Sequence, residues 1–299
     1  MSPAIRVPTL DPDWTVWAFS DAHGVLTGLR AAFEAAGLID DELRWIAPPK
    51  TALVGCGDYI DRGTDSPGVM DLLRTVQRHA AAAGGRAIYC LGNHEQIVLK
   101  LARGEFELLG NWLEYGGQAM LASYGFGPGS VAELPEFFER LERRSAGTLD
   151  WLESLVDAVR WRDVLFVHGG LPAGADLDDL GRTTDRHLWV RTEFFDTPWE
   201  SGAFRGFQQA GVERVVFGHT PLAHGARLYH EGRSIGIDTN ASGNPKLPAD
   251  AEHIVTLVRL AGDGDLRSAP RIVVHTDQAR DRAQFGLAVR SVALPVARP

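Results

Sequence analysis

The chain has little of what membrane-spanning or disulfide-linked secreted proteins need. No run approaches the roughly 20 consecutive apolar residues of a membrane span. Only two cysteines, Cys56 and Cys90, occur in 299 residues. That number is too small for a disulfide framework and favours a reducing compartment. The first fourteen residues contain several prolines and are followed by no apolar signal segment. We therefore expect a cytoplasmic protein without a membrane partner.

Basic residues are also in short supply. The chain has 30 Lys and Arg residues against 39 Asp and Glu residues, which gives a formal net charge of −9. A field of that sign repels the phosphate backbone of nucleic acids and the surface of anionic membranes. We therefore expect no nucleic-acid partner. A small phosphorylated substrate remains compatible with the charge, because bound cations can invert the potential locally.

Five short polar motifs carry most of the chemical information, and each follows an apolar run. The motifs are Asp21-Ala22-His23-Gly24, Gly57-Asp58-Tyr59-Ile60-Asp61-Arg62-Gly63, Gly92-Asn93-His94-Glu95, His168-Gly169-Gly170 and Gly218-His219-Thr220. The preceding runs predict buried strands at residues 15–20, 51–55, 87–90, 164–167 and 215–217. One such motif would mean little, but five in this arrangement favour a hydrolase with two metal ions.

The first hundred residues repeat a unit of strand, loop and helix. Helical periodicity follows the first three motifs at residues 26–36, 69–83 and 96–103, and glycines end the first two of these helices. This repeat predicts a parallel sheet with right-handed crossovers. Loops at the carboxyl ends of parallel strands meet in one crevice. We therefore expect the three N-terminal motifs to lie close together.

The composition changes in the middle of the chain. Residues 104–160 are rich in helix formers and aromatic residues, which predicts a helical insertion beside the site. Beyond residue 160 short strands dominate, including 234–239, 254–260 and 271–275. We predict one domain over residues 1–299, with a catalytic core at about residues 15–275 and the insertion at about residues 104–160.

Six side chains from the motifs form a ligand set for two divalent cations: Asp21, His23, Asp58, Asn93, His168 and His219. Asp21 and His23 can face one ion, and Asp58 is the best bridging candidate because a carboxylate can bind two metals. Mixed oxygen and nitrogen ligands suit Mn, Fe or Zn better than Ca. Two cations about 3.5–4 Å apart can hold a bridging hydroxide and the oxygens of a phosphate ester.

Four further residues are candidates for catalysis and substrate binding. His94, which follows Asn93, is the natural proton donor to the leaving oxygen, and Asp61 could orient its imidazole. Arg62 offers a planar fork for phosphate oxygens. Arg191 is a second phosphate candidate in an aromatic segment, and Asn93 is also expected to contact substrate. Histidines outside the motifs are interpreted as structural or exposed.

The motif series, with Ile237-Asp238-Thr239 after it, resembles the phosphoprotein phosphatase branch of the calcineurin-like metallophosphoesterases. It looks most like the bacterial and bacteriophage serine/threonine protein phosphatases, and Trp112, Tyr115-Gly116-Gly117 and residues 188–194 agree. The resemblance covers about residues 15–260. It implies an α+β fold with a four-layer αββα sandwich, two divalent metal ions (often Mn²⁺ in bacterial members), and attack on phosphorus by a metal-bridging hydroxide. The implied substrates are phosphorylated proteins or small phosphoesters.

Three positions depart from the family pattern. Ser20 precedes Asp21 and Asn240 follows Thr239, where glycine is common at both places. Leu91 precedes the third motif where many protein phosphatases have a phosphate-binding arginine. Leucine there is similar to the diadenosine tetraphosphatases of the same branch, although those enzymes usually lack the counterpart of Asp61.

These departures leave alternatives open. Besides a Ser/Thr phosphatase, the sequence is compatible with a dinucleoside polyphosphate hydrolase. A non-catalytic metal-binding scaffold would require a lost ligand or a lost acid, yet every expected position is filled. Cys56 and Cys90 are either a redox pair or two small buried apolar residues.

Overall fold

The structure, a computed structural model, describes residues 7–127, 129–262, 264–276 and 289–292. Its strands are β1 (Thr9–Leu10), β2 (Thr15–Phe19), β3 (Thr51–Gly55), β4 (Arg86–Tyr89), β5 (Ala158–Trp161), β6 (Val164–Val167), β7 (Arg214–Phe217), β8 (Arg227–Tyr229), β9 (Ser234–Gly236), β10 (Ile254–Leu260), β11 (Arg271–His275) and β12 (Val289–Val292). Its α-helices are α1 (Leu26–Ala35), α2 (Ser66–Ala82), α3 (Asn93–Ala102), α4 (Leu109–Trp112), α5 (Gln118–Ser123), α6 (Leu134–Arg144), α7 (Thr148–Ser154), α8 (Thr192–Asp196) and α9 (Arg205–Gln209).

The described strands form two sheets of six. One has the order β1-β5-β6-β7-β9-β8 and the other the order β12-β11-β10-β2-β3-β4. Within the second sheet, β2, β3 and β4 are parallel neighbours, as the repeated unit predicts. The parallel neighbours β6, β7 and β9 form the matching part of the first sheet.

Side-chain alternation along the strands divides the core into layers. In β2, Val16 points into the cluster between the two sheets, while Trp17 points to an outer cluster that includes residues of α1 and α2. In β6, Phe166 points into the same inter-sheet cluster and Leu165 to the other outer face, which α8 and α9 cover. The predicted α+β fold with four αββα layers is thereby confirmed. Truncating the fully buried Phe166 to Ala should cost about 3–5 kcal/mol of stability.

Helix starts differ from the predicted ones because of local capping. Helix α2 begins at Ser66, three residues before the expected start, because Asp65 Oδ1 accepts the N–H of Gly68 at 2.8 Å. Helix α3 begins at Asn93, so the third motif forms a first helical turn and not a loop. Its Glu95 carboxylate accepts the N–H of Gly92 at 3.1 Å, as in a capping box.

Strand β9 ends at Gly236, whereas the predicted strand ran to residue 239. The chain turns early because the Asp238 carboxylate accepts the N–H of Asn240 at 3.1 Å. Asn240 has a left-handed backbone with φ of 63°, which asparagine tolerates well. This turn keeps Asp238 and Asn240 buried near the ends of the strands.

The segment between α3 and β5 is helical and contains α4 to α7. A π-helical turn at Leu113–Gly117 separates α4 from α5, and Gly116 in it has a φ of 112°. Strand β5 begins at Ala158, inside the predicted end of the insertion. The division of the chain into core and insertion stays a prediction.

Two smaller observations bear on the remaining expectations. Within the part of the chain that the structure describes, no helix is long and apolar enough to cross a membrane. Cys56 and Cys90 follow the paired strands β3 and β4, and both are buried free thiols. Burial raises the pKa of each thiol well above its ordinary value, which favours the interpretation as small buried apolar residues.

Candidate metal centre and active site

The five motifs meet at the carboxyl ends of β2, β3, β4, β6 and β7. Four of the six candidate ligands have a left-handed backbone: Asp21 (φ 50°), His23 (φ 41°), Asp58 (φ 56°) and His219 (φ 65°). Such conformations are uncommon outside glycine and cluster where a functional site requires them. The turns direct the side chains into a shared, buried centre.

Asp21, His23 and Asp58 lie on one side of this centre. His23 Nε2 is 3.7 Å from Asp21 Oδ1 and 3.7 Å from Asp58 Oδ2. The other ring nitrogen, Nδ1, lies 2.8 Å from the carbonyl oxygen of Ile60. This contact fixes the ring so that Nε2 faces the two carboxylates, in the way that outer contacts orient metal-binding histidines.

Asn93, His168 and His219 lie on the other side. His168 Nε2 is 3.3 Å from Asp58 Oδ1 and 2.9 Å from Asn93 Oδ1. The rings of His168 and His219 are in edge contact, with centroids 4.9 Å apart. The backbone N–H of His219 donates to Asp21 Oδ2 at 2.9 Å, so the two sides are joined directly.

Asp58 is common to both sides. Among the described residues, two groups of His and Asp have ligand atoms within 4.8 Å of one another: His23, Asp58 and His94, and Asp58, His168 and His219. One carboxylate oxygen of Asp58 faces each group. The six candidate ligands are therefore brought together, and their roles as ligands stay a prediction.

The electrostatics of the centre fit bound cations. Burial, followed by the neighbouring carboxylates of Asp238 and Asp58, raises the pKa of Asp21 well above its ordinary value. Burial alone would also raise the pKa of Asp58, but His168 and other histidines hold it well below. Burial opposes protonation of His168, yet Asp58 raises its pKa to about 9. Several buried carboxylates at one point need compensating positive charge.

Two buried polar atoms in the centre are also suited to bind a metal ion. Asp21 Oδ1 and His219 Nδ1 are buried and have no hydrogen-bond partner among the residues that the structure describes. Such orphaned polar atoms are costly unless something binds them. Carboxylate oxygen, imidazole nitrogen and amide oxygen form a donor set that suits Mn, Fe or Zn. The residues present therefore fit a pair of divalent cations.

Two arginines approach the centre from opposite sides. The half-buried Arg62 places Nη1 2.8 Å from His23 Nε2 and Nη2 3.1 Å from His94 Nε2. The exposed Arg191 donates from Nε to His219 Nε2 at 2.9 Å. Both predicted phosphate-binding residues thus lie at the site.

His94 and Asp61 form a buried pair beside the first group. His94 Nδ1 is 2.6 Å from Asp61 Oδ2, and His94 Nε2 is 3.8 Å from Asp58 Oδ2. A ring nitrogen of His94 is close enough to His23 and Asp58 for these three residues to form one of the two possible metal-binding groups. Its contact with Asp61 favours the predicted acid, because the ring is oriented by a carboxylate as in catalytic triads.

Sequence reasoning missed the part played by Glu95. Its buried carboxylate accepts backbone N–H groups of Asp58 (3.0 Å), Tyr59 (2.8 Å), Ile60 (3.2 Å) and Gly92 (3.1 Å). It therefore ties the second motif to the third. The available signal was the glutamate three residues after Gly92 at a helix start, which is typical of a capping box.

Asp238 and Trp112 were part of the resemblance but received no role from it. Asp238 is buried, its Oδ2 has no hydrogen-bond partner within the described part of the chain, and it raises the pKa of Asp21. Trp112 Nε1 donates to Asp61 Oδ2 at 2.9 Å. Nothing in the spacing indicates this contact, because 51 residues separate the partners.

Leu91 lies beside the centre in a different environment. It lines a cavity of about 480 Å³ together with Gln96, Lys100 and His187. None of the described residues that line this cavity is a predicted metal ligand or catalytic residue. His187 is buried and not exposed, and neither of its ring nitrogens has a hydrogen-bond partner among the described residues.

The sequence profile of the calcineurin-like phosphoesterases matches residues 15–237. Because the match covers well over half of the chain, the protein belongs to the calcineurin-like phosphoesterase family. The resemblance seen in the motifs is confirmed at this level.

Two curated relatives are phosphatases. The chain is 30% identical over 184 residues to Shewanella-like protein phosphatase 2 of Arabidopsis thaliana, covering 52% of this chain and 46% of that protein. It is 27% identical over 217 residues to serine/threonine-protein phosphatase 1 of Salmonella typhimurium, covering 69% and 79%. The match thus spans about half the length of the plant relative.

Among solved structures, a cold-active protein-tyrosine phosphatase of a psychrophilic Shewanella species has a similar fold. The TM-score is 0.59 at 21% identity, with 87% of this chain and 82% of that chain covered. At that identity the likeness supports the fold alone.

Proposed function

We propose that the protein is a metal-dependent phosphomonoesterase that acts as a phosphoprotein Ser/Thr phosphatase, with Mn²⁺ as its metal and the cytoplasm as its location. The observation that carries the proposal is the position of Asp58 between two ligand groups, with the Asp61–His94 pair beside them. A site of that composition offers what phosphate ester hydrolysis needs, namely ligands for two cations and a positioned proton donor.

In this proposal Asp21, His23 and Asp58 would hold one cation, while Asp58, Asn93, His168 and His219 would hold the other. Such a pair of cations, when bound, supplies an activated water and neutralises the phosphoryl oxygens. The chain holds the ligand side chains in fixed positions before substrate arrives. The backbone turns and the contacts of the ring nitrogens fix them.

Arg62 and Arg191 bind the phosphate oxygens in the proposed reaction. The guanidinium of Arg62 contacts Nε2 of both His23 and His94, so its planar fork can form two parallel hydrogen bonds to a phosphate held beside these rings. Arg191 approaches from beside His219. Because Arg191 is exposed, we assign it the smaller share of the binding energy.

His94 donates the proton that the leaving alkoxide needs. Asp61 keeps Nδ1 as the nitrogen that carries hydrogen, so Nε2 is the nitrogen that faces the site. A positive imidazolium at this point is stabilised by the Asp61 carboxylate, as in the histidine–aspartate pairs of other hydrolases. A proton donor of this kind contributes about 10²–10⁴-fold to the rate.

A second candidate is the hydrolysis of dinucleoside polyphosphates, and Leu91 is the observation that favours it. The experiment compares kcat/KM of the Mn²⁺-loaded protein for a phosphoserine peptide and for diadenosine tetraphosphate. A preference of a hundredfold for one substrate, about 2.7 kcal/mol in transition-state binding, decides between them.

An assay with a small aryl phosphate tests the proposal as a whole. We expect hydrolysis of p-nitrophenyl phosphate that EDTA abolishes and Mn²⁺ restores. Tight metal binding without turnover of any phosphoester would contradict the proposal and favour a non-catalytic metal-binding scaffold.

A further inference from the structure

The indole of Trp112 is fully buried, and its only polar atom points at the Asp61–His94 pair. Nε1 donates to Asp61 Oδ2 at 2.9 Å, and the same oxygen lies 2.6 Å from His94 Nδ1. One carboxylate oxygen therefore receives contacts from both rings. A buried indole usually finds one hydrogen-bond acceptor. Here that acceptor is a residue of the candidate active site.

The chemistry of the indole N–H limits what the other atoms can do. An indole nitrogen donates only and never accepts. Asp61 Oδ2 must therefore accept from Trp112, which favours an ionised carboxylate that also accepts from His94. Asp61 is further fixed by its backbone N–H, which donates to Ser66 Oγ at 3.0 Å. Ser66 thus fixes the backbone of Asp61 and Trp112 fixes its Oδ2, so His94 meets this oxygen in one orientation.

The residues that follow Trp112 hold the neighbouring Arg62. The carbonyl oxygen of Gly116 accepts the backbone N–H of Arg62 at 3.0 Å, and that of Tyr115 accepts Nε at 3.2 Å. A Cβ on Gly116 would come within 2.5 Å of Arg62 Cγ, and one on Gly117 within 2.4 Å of the Trp112 ring. Only glycine allows these close approaches. Residues 112–117 are therefore packed directly against Asp61 and Arg62.

We propose that Trp112 is a positioning residue, which acts through Asp61 to keep His94 aligned for proton donation to the leaving group. This inference rests on the proposed phosphomonoesterase function. It also gives the helical insertion a defined part in the reaction, because α4 carries Trp112 to the active site. Loss of the indole N–H leaves Asp61 free to rotate, and the His94 ring loses its fixed partner.

The test compares Trp112→Phe with Trp151→Phe. Trp151 is a matched control, because it is also buried in the insertion and donates from Nε1, in its case to Gln77 Oε1 at 3.1 Å. Each variant is assayed with p-nitrophenyl phosphate, whose leaving group needs no proton, and with a phosphoserine peptide, whose alkoxide does.

We expect Trp112→Phe to lower kcat for the peptide about tenfold more than kcat for p-nitrophenyl phosphate. The factor is smaller than the full contribution of a proton donor, because His94 itself is still present. KM should stay unchanged. Trp151→Phe should change kcat for both substrates by the same factor. An equal loss on both substrates in Trp112→Phe would mean that the indole is only structural, and it would overturn the inference.

A second variant separates the loss of the hydrogen bond from a folding defect. Replacing Trp112 with benzothienylalanine keeps the two fused rings and exchanges the N–H for a sulfur that cannot donate, and the same difference between substrates is expected. Equal activity of this variant and the wild type on the peptide also overturns the inference. If the wild-type protein hydrolyses neither substrate, the proposed function itself is refuted. If the wild type is active and the Trp112 variants keep its ratio of activities on the two substrates, only the inference about Trp112 is refuted.

Discussion

Glu95 Oε2 accepts the backbone N–H of Asp58 at 3.0 Å, so a buried carboxylate of α3 holds the residue that both ligand groups share. Glu95 Oε1 accepts the next two amides of the same loop. Asp58 needs such support because its φ of 56° is an uncommon conformation for a residue with a side chain. The position of the central ligand thus depends on a residue that is not itself a member of either ligand group.

We predict that Glu95→Gln destabilises the protein by about 1–3 kcal/mol, because the amide has only one acceptor oxygen and leaves buried backbone N–H groups without an acceptor. Affinity for Mn²⁺ should fall as well. Urea unfolding and titration calorimetry measure the two effects. Glu107→Gln, at an exposed site, serves as control. Unchanged stability and metal affinity in Glu95→Gln would show that the hydrogen bonds do not support the loop.

Asp58→Asn should remove most of the activity together with bound metal. The amide keeps the shape of the side chain but lacks the charge that two cations share. We expect the metal content per chain to fall from two towards one or none, as measured by plasma mass spectrometry after gel filtration. Asp41→Asn, on the exposed surface, should keep both metals and full activity. Full activity in Asp58→Asn would refute the assignment.

Arg62 and Arg191 should differ in their effects on phosphate binding. Arg62→Ala loses the half-buried fork, so we expect the inhibition constant for inorganic phosphate to rise about 10–100-fold, as the loss of charged hydrogen bonds implies. Arg191→Ala should raise it less, since that side chain is exposed and such contacts are screened. Arg62→Lys should restore little, because an ammonium lacks the planar geometry. A larger effect at Arg191 would reverse the assignment.

His187 makes the fold sensitive to acid. Burial, and then the nearby His168, lowers its pKa to about 4, although the Asp157 carboxylate lies 3.8 Å from Nε2. In the unfolded chain the ordinary value is about 6.5, so the unfolded state takes up its proton first. The contribution of His187 to stability is therefore complete above about pH 6.5 and is lost as the pH falls towards 4, by about 3 kcal/mol in total.

The measurement for this prediction is the free energy of unfolding by urea at pH 7 and at pH 4.5. His187→Leu should lose less stability between these two values than the wild type, because leucine takes up no proton in the unfolded state. An equal loss in the two proteins would mean that other groups set the acid sensitivity.

The parts of the fold that the sequence predicted are those with local signals. Apolar runs ending in polar motifs indicate the strands, and glycines mark the ends of helices, so β3, β6 and β10 begin and end where predicted. The meeting of the motifs followed from a general rule about parallel strands. The motif side chains could therefore be assigned to one site from the sequence alone.

The parts that escaped prediction depend on contacts between distant residues. Trp112 reaches Asp61 across 51 residues, and Glu95 reaches Asp58 across 37. Leu91 could be recognised as a departure, but not as the wall of a cavity that contains His187. Such contacts are set by how the insertion and α3 pack against the sheet, and no local pattern encodes that packing.

The most direct test of the account is an anomalous diffraction map of crystals grown with Mn²⁺ and recorded at the manganese edge. We predict two peaks about 3.5–4 Å apart, one beside Asp21 and His23, the other beside His168 and His219, with Asp58 in contact with both. A single peak, or peaks that do not involve Asp58, would contradict the central claim that one carboxylate joins two metal ions at the ends of these strands.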